Sequence, residues 1–228
     1  MKKLALLFPV FAMLLMGTAS CNDDDDKLDP NLPLYQDYLV ENVDGEVTAY
    51  AYFSAYNSKG QHMQLNNGAS IKANGEDMSY IGSIDLEGFY DYSHQLPANT
   101  TEVTYVLKRN ANTTLTNIVN LAEAPDFKME DSWKEIKNGV RYEVTKLTEG
   151  SSSAELHAVL VSPNNEKPYQ ATIGVGISSF TFTGVRPGTY SLMVSTSVTR
   201  PVAQTDGTAT GKATAYRIYT KENVKVTD

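Results

Sequence analysis

The stretch EVTAYAYFSAY at residues 46–56 alternates small or apolar side chains with polar or tyrosine side chains over eleven positions. A period of two residues is the pattern of a β-strand, whose successive side chains point to opposite faces of a sheet. One face carries Val47, Ala49, Ala51, Phe53 and Ala55. The other face carries Thr48, Tyr50, Tyr52, Ser54 and Tyr56. The stretch therefore predicts one long strand with a small-residue face and a tyrosine face.

Further alternating segments and tight-turn sequences follow this strand. Turns are indicated by NNG at residues 66–68 and by NG at residues 74–75. Alternation recurs at residues 103–108, 140–145 and 154–161. Short strands separated by turns at intervals of about 8–12 residues are typical of a β-sandwich.

The segment NLAEAPDFKMEDS at residues 120–132 holds a proline and four acidic residues and divides the strands into two blocks. We therefore predict an all-β chain of two antiparallel β-sandwich domains, residues 35–124 and 125–228, behind a signal peptide and a flexible tether. One elongated sandwich is the alternative. A short helix is expected only at residues 132–138, with Ser132 as N-cap and Glu135 as its capping-box partner.

The second block contains FTFTGVRPGTYSLMV at residues 180–194. This segment resembles a pattern of immunoglobulin-like, fibronectin-like and transthyretin-like sandwiches, in which a Pro-Gly turn leads into a strand that opens with tyrosine. The resemblance implies a tyrosine corner, in which the Tyr190 hydroxyl bonds to nearby backbone. It concerns the fold and says nothing of function.

The composition of the 228 residues excludes several classes of protein. The net charge of −8 argues against a nucleic-acid partner, which needs clustered Lys and Arg. The single cysteine excludes an internal disulfide framework and a cysteine-based zinc site. A mean hydropathy of −0.32 excludes a protein with many membrane spans.

The first residues have the organisation of a signal peptide. Lys2 and Lys3 precede a 13-residue apolar run at positions 4–16, and Gly-Thr-Ala-Ser then leads to Cys21. The segment resembles the lipobox of bacterial lipoproteins, which implies removal of residues 1–20 and lipidation of Cys21, a palmitate-type anchor in the membrane. The alternative is an ordinary signal peptide cut at Ala19 or Ser20.

An acidic run follows the cysteine, and a proline-containing segment completes a tether over residues 21–34. The run consists of Asp23, Asp24, Asp25 and Asp26. It resembles the surface-export signal of Bacteroidetes-type lipoproteins, which implies display on the outer face of the outer membrane. A solvated spacer at the periplasmic face is the alternative, since like charges repel and extend a chain.

Motifs for catalysis and cofactor binding are scarce, so we expect neither an enzyme nor a cofactor. His62, His94 and His157 lie too far apart to form a paired metal-ligand motif. Gly174 and Gly176 begin like a dinucleotide-binding sequence, but no strand–helix–strand context accompanies them. Carboxylates such as Asp85, Glu87 and Asp91 leave a polysaccharide-processing enzyme as an alternative.

The tyrosines are the candidate binding residues. They are Tyr50, Tyr52, Tyr56, Tyr90 and Tyr92. Exposed tyrosines offer flat contact area at low entropic cost to a glycan or a protein. In the alternative interpretation, which we favour from the sequence, these tyrosines fill the core opposite the small-residue face or lie between the two blocks.

These features together predict a lipid-anchored outer-membrane protein that acts as a non-catalytic binding or adhesion module. A second hypothesis is an accessory or anchor subunit of a fimbrial or envelope assembly. It rests on a resemblance to the fimbrillins of the Bacteroidetes, which also combine a lipobox with two transthyretin-like sandwiches.

Overall fold

The computed structural model describes residues 32–82, 91–164, 167–174, 176 and 178–227. Within these ranges the chain forms sixteen strands and two short 3₁₀ helices. The strands are β1 (Leu34–Val43), β2 (Glu46–Ala55), β3 (Ser70–Ala73), β4 (Glu76–Asp77), β5 (Ser79–Tyr80), β6 (Tyr92–Leu96), β7 (Glu102–Lys108), β8 (Thr114–Asn120), β9 (Glu135–Lys137), β10 (Arg141–Glu143), β11 (Glu155–Val161), β12 (Tyr169–Gln170), β13 (Thr172–Ile173), β14 (Ser179–Thr181), β15 (Gly188–Pro201) and β16 (Gly211–Thr227). The 3₁₀ helices are Leu121–Glu123 and Asp131–Lys134. No helix of these ranges is long and apolar enough to cross a membrane.

One nine-stranded sheet runs through the whole described structure. Its order is β12-β11-β15-β16-β1-β2-β6-β5, with β9 paired to β16. A four-stranded sheet, β4-β3-β7-β8, faces one part of it, and a three-stranded sheet, β10-β14-β13, faces another part. The predicted all-β sandwich fold is confirmed.

Two strand pairs are parallel, which the expectation of antiparallel sandwiches did not include. β1 pairs in parallel with β16 over eight residue pairs, and β9 pairs in parallel with β16 over three. Parallel neighbours require a crossover connection. Here most of the chain lies between β1 and β16, so local sequence carries no signal for their pairing.

Two hydrophobic cores lie on the nine-stranded sheet. The first packs β1 and β2 against β3, β7 and β8, with Tyr38, Phe53 and Tyr105 fully buried in it. The second packs β11, β15 and the end of β16 against Trp133, Phe180 and Phe182.

The β15–β16 hairpin belongs to both cores. Val202, Ala213 and Ala215 are members of the first cluster, whereas Val224 and Val226 at the end of the same hairpin are members of the second. The two clusters thus share the two longest strands, with 14 and 17 residues. The division into domains at residues 35–124 and 125–228 stays a prediction.

The tyrosine corner expected in the second block is present. The Tyr190 hydroxyl donates a hydrogen bond of 2.9 Å to the Arg186 carbonyl oxygen. This bond joins the turn at residues 186–188 to the first residues of β15, and the buried Tyr190 ring contacts the ring of Tyr169.

The helix expected at residues 132–138 is wrong in its bounds and in its cap. The 3₁₀ helix covers Asp131–Lys134, its N-cap residue is Glu130, and no side chain caps it. Glu135 and the next two residues form β9 instead, where Ile136 is fully buried. Sheet pairing with β16 and burial of Ile136 outweigh the local capping preference.

Candidate functional site

The structure decides which face of β2 is the core face. Ala49, Ala51 and Phe53 are fully buried in the first core, whereas Tyr50 and Tyr52 are half-buried and point to the opposite face of the sheet. The prediction that the tyrosines fill the core opposite the small-residue face is therefore wrong for these two residues, whereas a place between the two blocks stays a prediction. The facing sheet contributes large side chains to the same core, such as Tyr105, whose ring stacks on that of Tyr38.

The other three candidate tyrosines lie elsewhere. Tyr56 follows the end of β2 with a φ of 64° and is 54% exposed, away from the row on the strand. Tyr92 is buried in the first core, where its ring contacts Phe53 and its hydroxyl accepts a hydrogen bond from the Leu65 N–H at 2.8 Å. A place for Tyr92 on a binding face is thus a wrong prediction. Tyr90 lies outside the described residues.

Three residues from other strands join Tyr50 and Tyr52 on the same side of the sheet. We call the resulting surface the tyrosine face, formed by Asp37, Glu41, Tyr50, Tyr52 and Tyr216. Asp37 is opposite Tyr52 in the β1–β2 register, and Glu41 is opposite Tyr216 in the β1–β16 register. The face therefore combines three phenols with two carboxyl groups from three neighbouring strands.

Sequence reasoning missed three members of this face, namely Asp37, Glu41 and Tyr216. A partial signal existed for the two acids, because they are the charged residues of the β1 sequence LYQDYLVENV. For Tyr216 there was none, because its position beside Glu41 depends on the parallel pairing of β1 with β16.

Burial sets the protonation of the tyrosine face. It raises the pKa of Glu41 from 4.5 to about 8, so the carboxyl group holds its proton at neutral pH. Burial also raises the pKa of Tyr50 to about 12, and the nearby Glu41 adds to that rise. The pKa of Tyr216 rises to about 12 for the same main reason. These three groups are therefore uncharged hydrogen-bonding groups at neutral pH.

Neighbouring side chains hold the members of the face in place. Asp37 forms an ion pair of 3.1 Å with Lys212 on β16. The Tyr216 hydroxyl accepts a hydrogen bond of 3.1 Å from Ser195 on β15. The ring of Tyr52 stacks on the imidazole of His62, with 5.5 Å between centroids and 10° between planes.

His62 in turn contacts Asp91, one of the carboxylates considered for catalysis. The distance from His62 Nε2 to Asp91 Oδ2 is 2.6 Å, and the Asp91 side chain is 3% exposed. This arrangement closes Asp91 off from solvent and fixes the imidazole under Tyr52. Asp85 and Glu87 lie outside the described residues.

Of the other two histidines, His94 lies on β6 opposite Ala49 of β2, and His157 lies on β11. His157 is half-buried on β11, and its Nε2 lies 3.6 Å from Glu155 Oε2. Burial lowers the pKa of His157, although Glu155 acts in the opposite direction. In the part of the chain that the structure describes, no group of three or more His, Cys, Asp or Glu side chains could hold a metal ion.

The predicted lipidation and export residues cannot be placed. Cys21 and Asp23, Asp24, Asp25 and Asp26 precede the first described residue. Their roles stay predictions.

Comparison with known proteins adds little to the fold and the tyrosine face. No family model matches the chain. No curated protein matches it either. One solved structure, described as tandem Ig repeats of Dlar, aligns with 86% of this chain and 100% of that chain at 13% identity and a TM-score of 0.30. A likeness at that score supports no functional argument, and the all-β assignment depends on the strands themselves.

Proposed function

We propose that this protein is a lipid-anchored, surface-exposed outer-membrane lipoprotein whose sandwiches form a non-catalytic binding or adhesion module. Acylated Cys21 is the anchor, residues 22–34 are the spacer, and the tyrosine face contacts the ligand. The observation that carries the proposal is the position of Tyr50 and Tyr52 on the side of β2 that turns away from the first core.

The chemistry of the tyrosine face favours a glycan over a protein as ligand. Phenol rings pack well against the apolar faces of sugar rings, and their hydroxyls bond to sugar hydroxyls. The Glu41 carboxyl group adds a donor and an acceptor, because burial keeps it protonated near pH 7. Asp37, paired with Lys212, adds a carboxylate that accepts from hydroxyl groups.

The binding proposal is tested on the chain carrying Cys21→Ser, which removes the lipid anchor, against an immobilised glycan array. We expect selective binding to a glycan class. The double variant Tyr50→Ser and Tyr52→Ser should weaken that binding by at least about tenfold, which corresponds to roughly 1.4 kcal/mol. The matched control is Tyr56→Ser, because Tyr56 is exposed but lies outside the tyrosine face.

Thermal unfolding of the same variants separates binding from folding. Loss of the melting transition in the double variant would show that the two tyrosines are needed for the fold, and would overturn the binding role. Equal glycan affinity of the double variant and the Tyr56 control would overturn it as well. Binding to proteins but to no glycan would retain the module and change its ligand class.

The cellular location is tested by protease treatment of intact cells. We compare the wild type with a variant whose residues 23–26 are alanine. Cleavage of the wild type with protection of the variant is the expected result, since the acidic run is proposed as the export signal. Protection of both proteins would place the sandwiches in the periplasm, and an assembly or scaffold role would then replace adhesion.

A further inference from the structure

Strand β8 is an edge strand. It ends the four-stranded sheet, and among the described strands it pairs only with β7. An edge strand presents a row of backbone N–H and C=O groups that can pair with another extended chain. The tyrosine face belongs to the other sheet of the sandwich, so β8 is a separate surface.

The hydrogen bonds around β8 show which of its backbone groups point outward. The Thr116 N–H donates to Gln204 Oε1 at 2.7 Å, on the side of β8 away from β7. The backbone N–H and C=O groups of the even-numbered residues of β8 therefore point away from β7. Ile118 lies opposite Thr104, whose N–H and C=O both bond to Asn74 on the far side of β7. The N–H and C=O of Ile118 therefore point outward, because residues alternate in direction along a strand.

Only the first half of this edge is covered. The β15–β16 turn lies against it, with Gln204 bonded to Thr116 and with Asn117 bonded to the Gln204 backbone at 2.8 and 2.9 Å. Beyond that turn, no strand among the described residues pairs with the outer side of Ile118. Its side chain is also 53% exposed, an uncommon state for isoleucine.

A groove of about 290 Å³ lies beside the uncovered half of β8. Val198, Ala213 and Ala215 form its apolar floor on the nine-stranded sheet, and Ile118 forms part of one wall. The nine-stranded sheet continues past β8 to β15, and no described residues add a strand to the four-stranded sheet there. An added strand on β8 would lie over these side chains, which are already buried, and would extend the four-stranded sheet by one strand.

The charges at the rim of the groove select the kind of strand. Arg200 Nε donates a hydrogen bond to Glu123 Oε2 at 3.0 Å, and Arg200 Nη2 donates one to Ser151 Oγ at 2.7 Å. Glu102 has no ion pair in the ranges that the structure describes, and it lines the same groove. The rim therefore favours a cationic side chain, and it disfavours the acidic segment of this chain at residues 23–26.

We propose that the β8 edge is a docking site for an extended, basic segment of a partner protein. The segment pairs with the Ile118 backbone, places an aliphatic side chain over Val198 and Ala215, and places a Lys or Arg beside Glu102. Strand addition of this kind obtains its affinity from main-chain hydrogen bonds and its specificity from alternate side chains.

The test is selection of a displayed library of short peptides on the full chain carrying Cys21→Ser. We expect enrichment of extended peptides in which an aliphatic residue and a Lys or Arg are an odd number of positions apart, because Val198 and Ala215 lie on the core side of the added strand and Glu102 lies on the outer side. The binding of a synthetic copy is then measured against Ile118→Pro, which removes one outward N–H at a position where an edge strand tolerates proline. Binding should fall by about tenfold.

Two further variants make the result specific. Ile118→Val keeps the N–H and should bind within about twofold of the wild type, since one methylene is a small loss. Glu102→Lys should lose the preference for basic peptides while it retains the aliphatic position. Equal binding by the proline and valine variants, or selection of no peptide, would overturn the proposal.

Self-association is the competing explanation of the edge. A concentration-dependent dimer of the wild type, detected by sedimentation and absent in Ile118→Pro, would overturn the proposal in favour of a second copy of this chain. None of these outcomes depends on glycan binding, so the proposal for the β8 site and the proposal for the tyrosine face are tested independently.

Discussion

Arg109 and Asp206, 97 positions apart in the chain, form an ion pair of 2.7 Å between the β7–β8 turn and the β15–β16 turn. The Arg109 side chain is 2% exposed. Asp206 also accepts a hydrogen bond from the Leu34 N–H at 3.0 Å, and Arg109 donates to the Leu32 carbonyl. This pair therefore ties the start of β1 and the β15–β16 turn to the first sandwich.

We expect Arg109→Met to lower the free energy of unfolding by about 3 kcal/mol, because it leaves the Asp206 carboxylate without its buried partner. Adding Asp206→Asn should restore part of the loss, because the uncompensated charge is then gone. Urea denaturation measures both variants. The control is Arg141→Met, which breaks an exposed pair with Glu143 and should change stability by less than about 0.5 kcal/mol. Similar losses for Arg109→Met and Arg141→Met would contradict the role of the buried pair.

Removal of the tyrosine-corner hydroxyl should destabilise the second sandwich. Tyr190→Phe keeps the buried ring but removes the donor to the Arg186 carbonyl, a loss of about 1 kcal/mol. The midpoint of urea unfolding should fall, whereas Tyr56→Phe on the surface should leave it unchanged. Coincident curves for wild type and Tyr190→Phe would show that water replaces the hydrogen bond without cost.

The Glu41 carboxyl group should make stability depend on pH. Its pKa is raised by burial from 4.5 to about 8, so within this pH window the folded protein keeps a proton that the unfolded chain releases. The free energy of unfolding therefore falls as pH rises through the window, by at most about 1.4 kcal/mol per pH unit. Glu41→Gln should flatten this slope and be more stable than the wild type above about pH 8.

Chemical denaturation across that window measures the effect of Glu41. The matched control is Glu46→Gln, an exposed residue at the start of β2, which should leave the pH dependence of stability as it is. If the free energy of unfolding changed with pH in the same way for the wild type and Glu41→Gln over the whole window, the buried, protonated state of this carboxyl group would be contradicted.

Lipidation of Cys21 predicts a simple biochemical result. Cells grown with labelled palmitate should incorporate the label into the wild type and not into Cys21→Ser, and the variant should move from the membrane fraction to the soluble fraction. Ser20→Ala is the control, because a small residue remains before the cysteine. A labelled Cys21→Ser protein would contradict the assignment of the anchor.

Much of the secondary structure was predictable because its signals are local. The two-residue period is set by side-chain direction within a single strand; it predicted a strand over residues 46–56, and β2 covers Glu46–Ala55, one residue fewer. The Tyr190 corner was implied by the resemblance of residues 180–194 to sandwich turns, and its donor and acceptor lie four residues apart around one turn. The helix expected at residues 132–138 failed because pairing with β16 competes for the same residues.

The candidate site was predictable only in part. The two-residue alternation of β2 shows that its residues lie on two faces. It does not show which face is buried, so the sequence could not assign the alanines or the tyrosines to the core. That choice depends on which face meets the four-stranded sheet, whose Tyr105 belongs to the same core as Ala49 and Ala51. The same argument applies to Tyr92, which neighbours Tyr90 in sequence but lies in the core.

The sequence by itself determined an all-β chain with strands, turns and one tyrosine corner, because each of these depends on residues close together along the chain. Only the tertiary structure decided that β1 pairs in parallel with β16, that the final hairpin completes the first core, and that Glu41 sits beside Tyr216. Those relationships join residues more than 150 positions apart, and they follow from the burial of apolar faces summed over whole sheets. A pattern of neighbouring residues does not indicate how much apolar surface a whole sheet buries, so it could not predict these pairings.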